Sequence, residues 1–106
     1  MIFLLAAIIV MANGEFEWDP AKADANVRKH AIEFNAARRV FSDQFVVIEY
    51  DESSSDHEDR FVAIGLLNGR LITVFYTERG DRIRIISARK ANSYEQRKYH
   101  RGTGPP

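Results

Sequence analysis

The chain has 106 residues, no cysteine, three histidines and fifteen basic against fifteen acidic side chains. This length supports one domain with a modest core, and the lack of cysteine excludes a disulfide framework or a thiolate metal site and is compatible with a reducing cytoplasm, the compartment expected. The neutral total conceals an asymmetry, because residues 1–69 carry six Lys/Arg against twelve Asp/Glu and residues 70–106 carry nine against three, a pattern suited to meeting a phosphate backbone with the carboxy-terminal part.

Met1 to Ala12 is almost wholly apolar, but it is shorter than the roughly 20 residues that span a bilayer. No basic residue precedes its apolar run, as a signal peptide requires. Residues 1–14 are therefore read as an extension, either disordered or produced by a start codon placed upstream of Met11. The domain is expected over residues 15–101, with a frayed tail over 102–106. Glu15-Phe16-Glu17-Trp18 alternates as a short strand, and Asp19-Pro20 supplies a cap and a first helical position. The spacing predicts a helix to His30, with Ala23, Asn26, Val27 and His30 on one face. Ile32 to Asn35 breaks it, and Ala36, Ala37, Val40 and Phe41 predict a second short helix ending at Ser42-Asp43.

Phe45 to Tyr50 is β-branched and aromatic and predicts a strand, followed by an acidic loop from Asp51 to Asp59. Arg60 to Leu66, Leu71 to Thr77 and Arg82 to Ser87 predict three more strands, joined by hairpins at Asn68-Gly69 and Arg79-Gly80-Asp81. Asn92 to Arg101 closes the domain as a helix. The expected class is α+β, with two N-terminal helices, an antiparallel β-meander sheet and a C-terminal helix.

In the last strand Arg82 and Arg84 alternate with Ile83 and Ile85, so the isoleucines can enter the core while the arginines share the other face. Arg60 and Arg79 can join them if the strands form a meander. The guanidinium fork matches phosphate oxygens and stays charged across the working pH range. A face of this kind can equally form ion pairs with Glu58, Asp59, Glu78 and Asp81 and do no chemistry. Glu58 precedes Arg60 closely enough to take a proton from a ribose 2′-hydroxyl while arginines stabilise the transition state. Lys29, His30 and His57 are competing acid or base candidates, with His30 read as a core or capping residue and His57 as exposed. Phe16, Trp18, Phe34, Phe41, Phe45, Phe61 and Phe75 read as core, whereas Tyr99, beside Arg97-Lys98, is placed to stack on a base or orient a phosphate. No phosphate-cradling glycine loop, nucleophile elbow or metal-ligand spacing is present, so no cofactor or metal is expected.

Phe16-Glu17-Trp18-Asp19-Pro20, Lys22-Ala23, Asn26, Lys29-His30, Phe34, Ala37, Val40-Phe41, Asp43, Glu58, Arg60, Ile64-Gly65, Thr77, Arg79-Gly80 and Ile83-Arg84-Ile85-Ile86-Ser87-Ala88-Arg89 together resemble the BrnT family of toxins. The resemblance runs from about Glu15 to Tyr99. It implies a RelE-like fold and a small ribonuclease that blocks translation. It also implies a type II toxin-antitoxin pair whose antitoxin, of the BrnA kind, carries a ribbon-helix-helix DNA-binding part. RelE-like enzymes as a class lack an acid-base histidine pair, so the resemblance favours a metal-independent endoribonuclease with Glu58 as base or site organiser. Arg60, Arg79 and Arg84 are then expected on the scissile phosphate, and Lys29, Arg82, Arg89 and Tyr99 on the RNA. Two positions depart from the family pattern: Ala31 stands where glycine usually follows Lys-His, and Gln96 stands where an arginine usually follows Glu95. The other expectation open at this stage is a non-catalytic module whose basic face binds RNA or an antitoxin segment.

Overall fold

The computed structural model describes residues 15–54 and 58–103. The extension expected over residues 1–14, His57 in the acidic loop and residues 104–106 of the tail lie outside the described residues. The first helix, α1 (Pro20–His30), starts where expected: Asp19 Oδ1 accepts from the Ala21 amide at 2.9 Å and Pro20 opens the first turn. It ends at Ala31, whose φ of 58° and ψ of 32° lie in the left-handed region while its amide donates to the Val27 carbonyl. A Cβ is disfavoured there, which gives the departure from glycine at this position a physical cost.

Five strands form one sheet, β1 (Phe16–Trp18), β2 (Val47–Tyr50), β3 (Arg60–Leu67), β4 (Arg70–Arg79) and β5 (Arg82–Lys90), in the order β1-β5-β4-β3-β2. The meander β2 to β5 is antiparallel as expected. The sheet as a whole is mixed, because β1 pairs parallel with β5, with Phe16 opposite Ile83 and Trp18 opposite Ile85. This corrects the purely antiparallel expectation: β1 joins β5 at the far end of the sequence, without a hairpin to announce it. The β3–β4 turn uses Asn68 and Gly69, at φ of 52° and 80°, the two positive values of a type I′ hairpin.

The helix α2 (Phe34–Ala37) continues as a 3-10 turn over Arg38–Ser42. With α1 it covers one face of the sheet, where Phe34, Ala37, Val40 and Phe41 pack on Ala63, Val74, Tyr76, Ile83, Ile85 and Ala88. The 3-10 turn sits directly on β3. A Cβ built on Gly65 would stand 2.9 Å from Val40 Cγ1 and 3.0 Å from its carbonyl oxygen, so only glycine permits this approach. Two aromatics expected in the core are elsewhere. Phe45 is half exposed, and Phe75 joins neither buried cluster.

Between Phe75 and Tyr76 the β4–β5 register shifts: Tyr76 faces Ile85, but Phe75 faces Ser87. One extra residue, Ile86, is thereby accommodated in β5, as in a β-bulge. The shift changes the phase of the strand, so that Ile83, Ile85 and Ala88 all enter the core. The buried Asn26 of α1 fixes the segment. Its Oδ1 accepts from the Ala88 amide at 3.1 Å, and its Nδ2 donates to the carbonyls of Ala88 and Ile32, both at 2.9 Å. Beyond the short β1, one side chain thus supplies the edge hydrogen bonds that a longer strand would.

The last helix, α3 (Ser93–Thr103), runs past Arg101 into the segment expected to be frayed. It lies on the sheet face opposite α1, with Tyr99 packed against Ile64 and Ala91. Two carboxylates hold it. Asp43 accepts from Tyr99 Oη at 2.7 Å, from the Leu66 amide at 2.9 Å and from the Phe45 amide at 2.9 Å. At the start of the helix, the Glu95 amide donates to Asn92 Oδ1 at 2.8 Å and the Asn92 amide donates to Glu95 Oε1 at 2.9 Å, a capping box. Glu95 also accepts from Thr73 Oγ1 at 2.9 Å and, through both oxygens, from Arg89 at 2.8 and 2.9 Å. Burial pushes both carboxyl groups up, but these hydrogen bonds outweigh it and leave each below its usual range. Burial and the Asp43 contact push the Tyr99 hydroxyl up to about 12.

Two predictions test this framework. Ala31→Gly should raise unfolding stability by about 1 kcal/mol in urea, since it relieves the left-handed alanine; a loss of stability would show that Ala31 is unstrained. Because Glu95 is more acidic folded than unfolded, its contribution is fully present above its ordinary value of 4.5 and is lost as pH falls below it. Glu95→Gln should therefore destabilise the protein at pH 7 and flatten the fall of stability between about pH 5 and 3. Parallel pH profiles for variant and wild type would refute that assignment.

Candidate functional site

Side chains directly opposite one another on paired strands share a face. Arg60 on β3 is opposite Thr77 on β4, Thr77 is opposite Arg84 on β5, and Arg84 is opposite Glu17 on β1. One row across four strands therefore carries two arginines and a glutamate. The adjoining pair at the β4–β5 turn is Arg79 with Arg82. Gly80 takes φ of 63° at the first central position of that turn, where a type II′ hairpin requires glycine.

These four arginines stand on the face turned away from α1 and α2. Helix α3 covers the Ile64–Thr73 end of that face, and the arginine row lies at the other end of the strands. The side chains of Arg79 and Arg82 are 51% and 59% exposed. Each has a carboxylate near it: Arg79 Nη2 donates to Glu58 at 3.3 Å, Arg84 Nη1 donates to Glu17 at 2.8 Å, and Arg82 is 4.0 Å from the other Glu17 oxygen. The pairs of the exposed Arg79 and Arg82 are of the kind worth about 0–1 kcal/mol, whereas the Arg84–Glu17 pair is part-buried and held more firmly. Exchanging the carboxylate of an exposed pair for a phosphate oxygen therefore meets a small barrier.

Glu58, Arg60, Arg79, Arg82 and Arg84 are thus gathered at one end of one face. The other three residues expected at the site are not. Lys29 is exposed on α1, in the helical layer on the far side of the sheet. Tyr99 is 5% exposed, with its ring in the α3 contact and its hydroxyl on Asp43, so it has no face free to stack on a base. Arg89 does share the arginine face, because the register shift turns it outward along with Arg84. Its fork, however, is closed on Glu95 and its guanidinium lies 5.2 Å over the Phe75 ring. Of the competing bases, His30 is half-buried at the end of α1.

Of the partners named from sequence for a purely charged surface, Glu58, Asp59, Glu78 and Asp81, Glu58 pairs with Arg79. Glu17 is the residue that sequence reasoning missed. The alternation of Glu15 to Trp18 already turns Glu17 away from the core; what the sequence lacks is any sign that β1 lies beside β5. Gln96, at the other departure from the family pattern, donates from Nε2 to the Ala91 carbonyl at 3.0 Å and serves the helix start. Among the described residues no three His, Asp or Glu side chains gather as a metal site, and no helix is long and apolar enough to cross a membrane.

The search of curated proteins gave no match for the chain. The family model for the BrnT ribonuclease toxin of type II toxin-antitoxin systems matches residues 18–95. That span runs from the end of β1 to the capping glutamate of α3 and includes Glu58, Arg60, Arg79, Arg82, Arg84 and Arg89. The chain belongs to the BrnT family of ribonuclease toxins, whose type II systems pair the toxin with a protein antitoxin.

Proposed function

We propose that this chain is a metal-independent endoribonuclease of the cytoplasm that cleaves RNA by attack of a ribose 2′-hydroxyl on the adjacent phosphate and thereby inhibits translation. The observation that carries the reading is the collection of Arg60, Arg79, Arg82 and Arg84 at an end of the sheet that no helix covers among the described residues, with Glu58 and Glu17 in contact with them. Glu58, beside Arg79, takes the 2′-hydroxyl proton or orders the group that does. The new bond forms between the 2′-oxygen and phosphorus, the bond to the 5′-oxygen breaks, and that oxygen leaves as a hydroxyl with a proton taken from water. Arg60, Arg79 and Arg84 neutralise the charge that builds on the phosphate oxygens during this step. Arg82, the most exposed of the salt-bridged arginines, holds the neighbouring backbone, and Glu17 keeps Arg84 extended across the row.

The same surface suits inhibition by an antitoxin of the BrnA kind with a ribbon-helix-helix part. An acidic or amphipathic segment laid over the arginines would occupy the phosphate positions by charge complementarity. Binding of RNA and of the antitoxin would then be mutually exclusive.

Purified protein should cleave RNA in the presence of EDTA and leave a cyclic phosphate or a 3′-phosphate. Arg79→Ala and Arg84→Ala should each slow cleavage by roughly a hundredfold or more, as loss of an oxyanion donor does, with the thermal transition retained. Magnesium-dependent release of 5′-phosphate ends would overturn the mechanism. Full cleavage by both variants would reduce the arginines to surface ion pairs.

A further inference from the structure

Phe75 is a large apolar residue in the middle of β4 that belongs to neither of the two buried clusters. Its place on the sheet explains why. Phe75 is opposite Val62 on β3 and Ser87 on β5, so it stands on the arginine face, one row from Arg60, Thr77 and Arg84. The residue is half-buried, neither sealed beneath α3 nor fully in water. The contact that marks it is the guanidinium of Arg89, 5.2 Å from the ring centroid. That guanidinium is held by two parallel hydrogen bonds to Glu95, at 2.8 and 2.9 Å, and its side chain is still 32% exposed. Thr73 and the Asn92 amide fix Glu95 in turn.

This cation, fixed over an aromatic ring and still partly exposed, stands on the same sheet face as the arginine row. Together these make the combination with which proteins receive an unpaired base: the ring and guanidinium supply stacking surface, and the surrounding cations hold the backbone. Phe75 lies two residues from Thr77, about 7 Å along the strand. A base attached beside a phosphate at Arg84 can reach it.

Resting on the ribonuclease reading above, we infer that Phe75 and the Glu95-held Arg89 form a stacking subsite for one unpaired nucleobase of the RNA next to the scissile phosphate. Arg89 thus contacts the RNA through the exposed plane of a guanidinium whose hydrogen-bonding edge is already taken by protein. Recognition at this subsite is by stacking and not by base-edge hydrogen bonds, so it distinguishes single-stranded from paired RNA more than one base from another.

The test uses the full-length protein and a short single-stranded 2′-O-methyl RNA, which cannot be cut by 2′-hydroxyl attack, carrying one 2-aminopurine. Phe75→Leu keeps an apolar side chain of similar size, and Phe75→Trp restores a larger ring. Phe75→Leu should weaken RNA binding by about 5- to 100-fold, the range for loss of one base stack. The salt dependence of binding should not change, since no phosphate contact is removed. Phe75→Trp should bind at least as tightly as wild type and quench 2-aminopurine at one position of the oligonucleotide. Wild-type affinity for Phe75→Leu, a loss that follows a lowered melting temperature, or failure of Phe75→Trp to restore binding would each overturn the inference. Unchanged RNA binding with weakened antitoxin binding would also overturn it and assign the ring to the protein partner. If wild-type protein bound no RNA at any salt concentration, the ribonuclease reading itself would fall, and this subsite with it.

Discussion

The organisation of the sheet depends on how β5 is held while it changes phase. A strand of strict alternation would place Ile83, Ile85 and then residues 87 and 89 on the core side. The register shift at Phe75/Tyr76 breaks that sequence, admits Ala88 to the core and turns Arg89 outward. An unpaired bulged segment next to a sheet edge would leave backbone groups unsatisfied, at a cost of about 1–3 kcal/mol each when buried. Asn26 meets this by bonding both the amide and the carbonyl of Ala88 and tying them to Ile32. One asparagine on α1 therefore fixes the phase of the strand whose opposite face carries Arg82, Arg84 and Arg89.

From that constraint the division of labour between the two faces follows. One face is filled by α1, α2 and the 3-10 turn, with Gly65 letting Val40 press against β3. The other is split along its length. Helix α3 occupies one end through Tyr99 and its two carboxylate anchors, and the arginines occupy the other. The two ends differ in how their charges are held. Glu95 is buried and accepts four hydrogen bonds, so the Arg89 pair is part of the structure. Glu58 meets the exposed Arg79 at 3.3 Å and Glu17 lies 4.0 Å from the exposed Arg82, so those two pairs can exchange for an incoming anion with little loss, while the part-buried 2.8 Å pair of Glu17 with Arg84 keeps that arginine in place. A rigid sheet with replaceable counter-charges suits phosphate binding, because the cations are already placed and only the anion changes.

Most of the fold was legible from local signals. Asp19-Pro20 marks the start of α1, Asn68-Gly69 and Gly80 mark two hairpins, and the alternation of Arg82 to Ile85 separates a charged face from an apolar one. The arginine cluster could be read because a meander brings adjacent strands together without long-range information. What escaped the sequence was non-local. The parallel pairing of β1 with β5, and hence Glu17 beside Arg84, depends on elements at opposite ends of the domain. The bulge in β5 that turns Arg89 outward leaves no composition signal, whereas the outward place of Phe75 follows from the plain alternation of β4, in which Ile72, Val74 and Tyr76 face the core. Tyr99 misled for a related reason: its basic neighbours Arg97 and Lys98 suggested a nucleic-acid contact, whereas the i, i+4 spacing from Glu95 places it on the helix face that meets the sheet.

The central claim is that RNA phosphates are met at the arginine end of the sheet and not on the helical side. The most direct measurement is the salt dependence of binding to a non-cleavable single-stranded RNA for two double variants, Arg82→Ala with Arg84→Ala and Arg38→Ala with Arg39→Ala. Each phosphate contact to a single strand contributes about 0.7 to the slope of log affinity against log salt. The account predicts a slope shallower by about 1.4 for the first pair and a wild-type slope for the second. An unchanged slope for the first pair, or an equal fall for both, would contradict it.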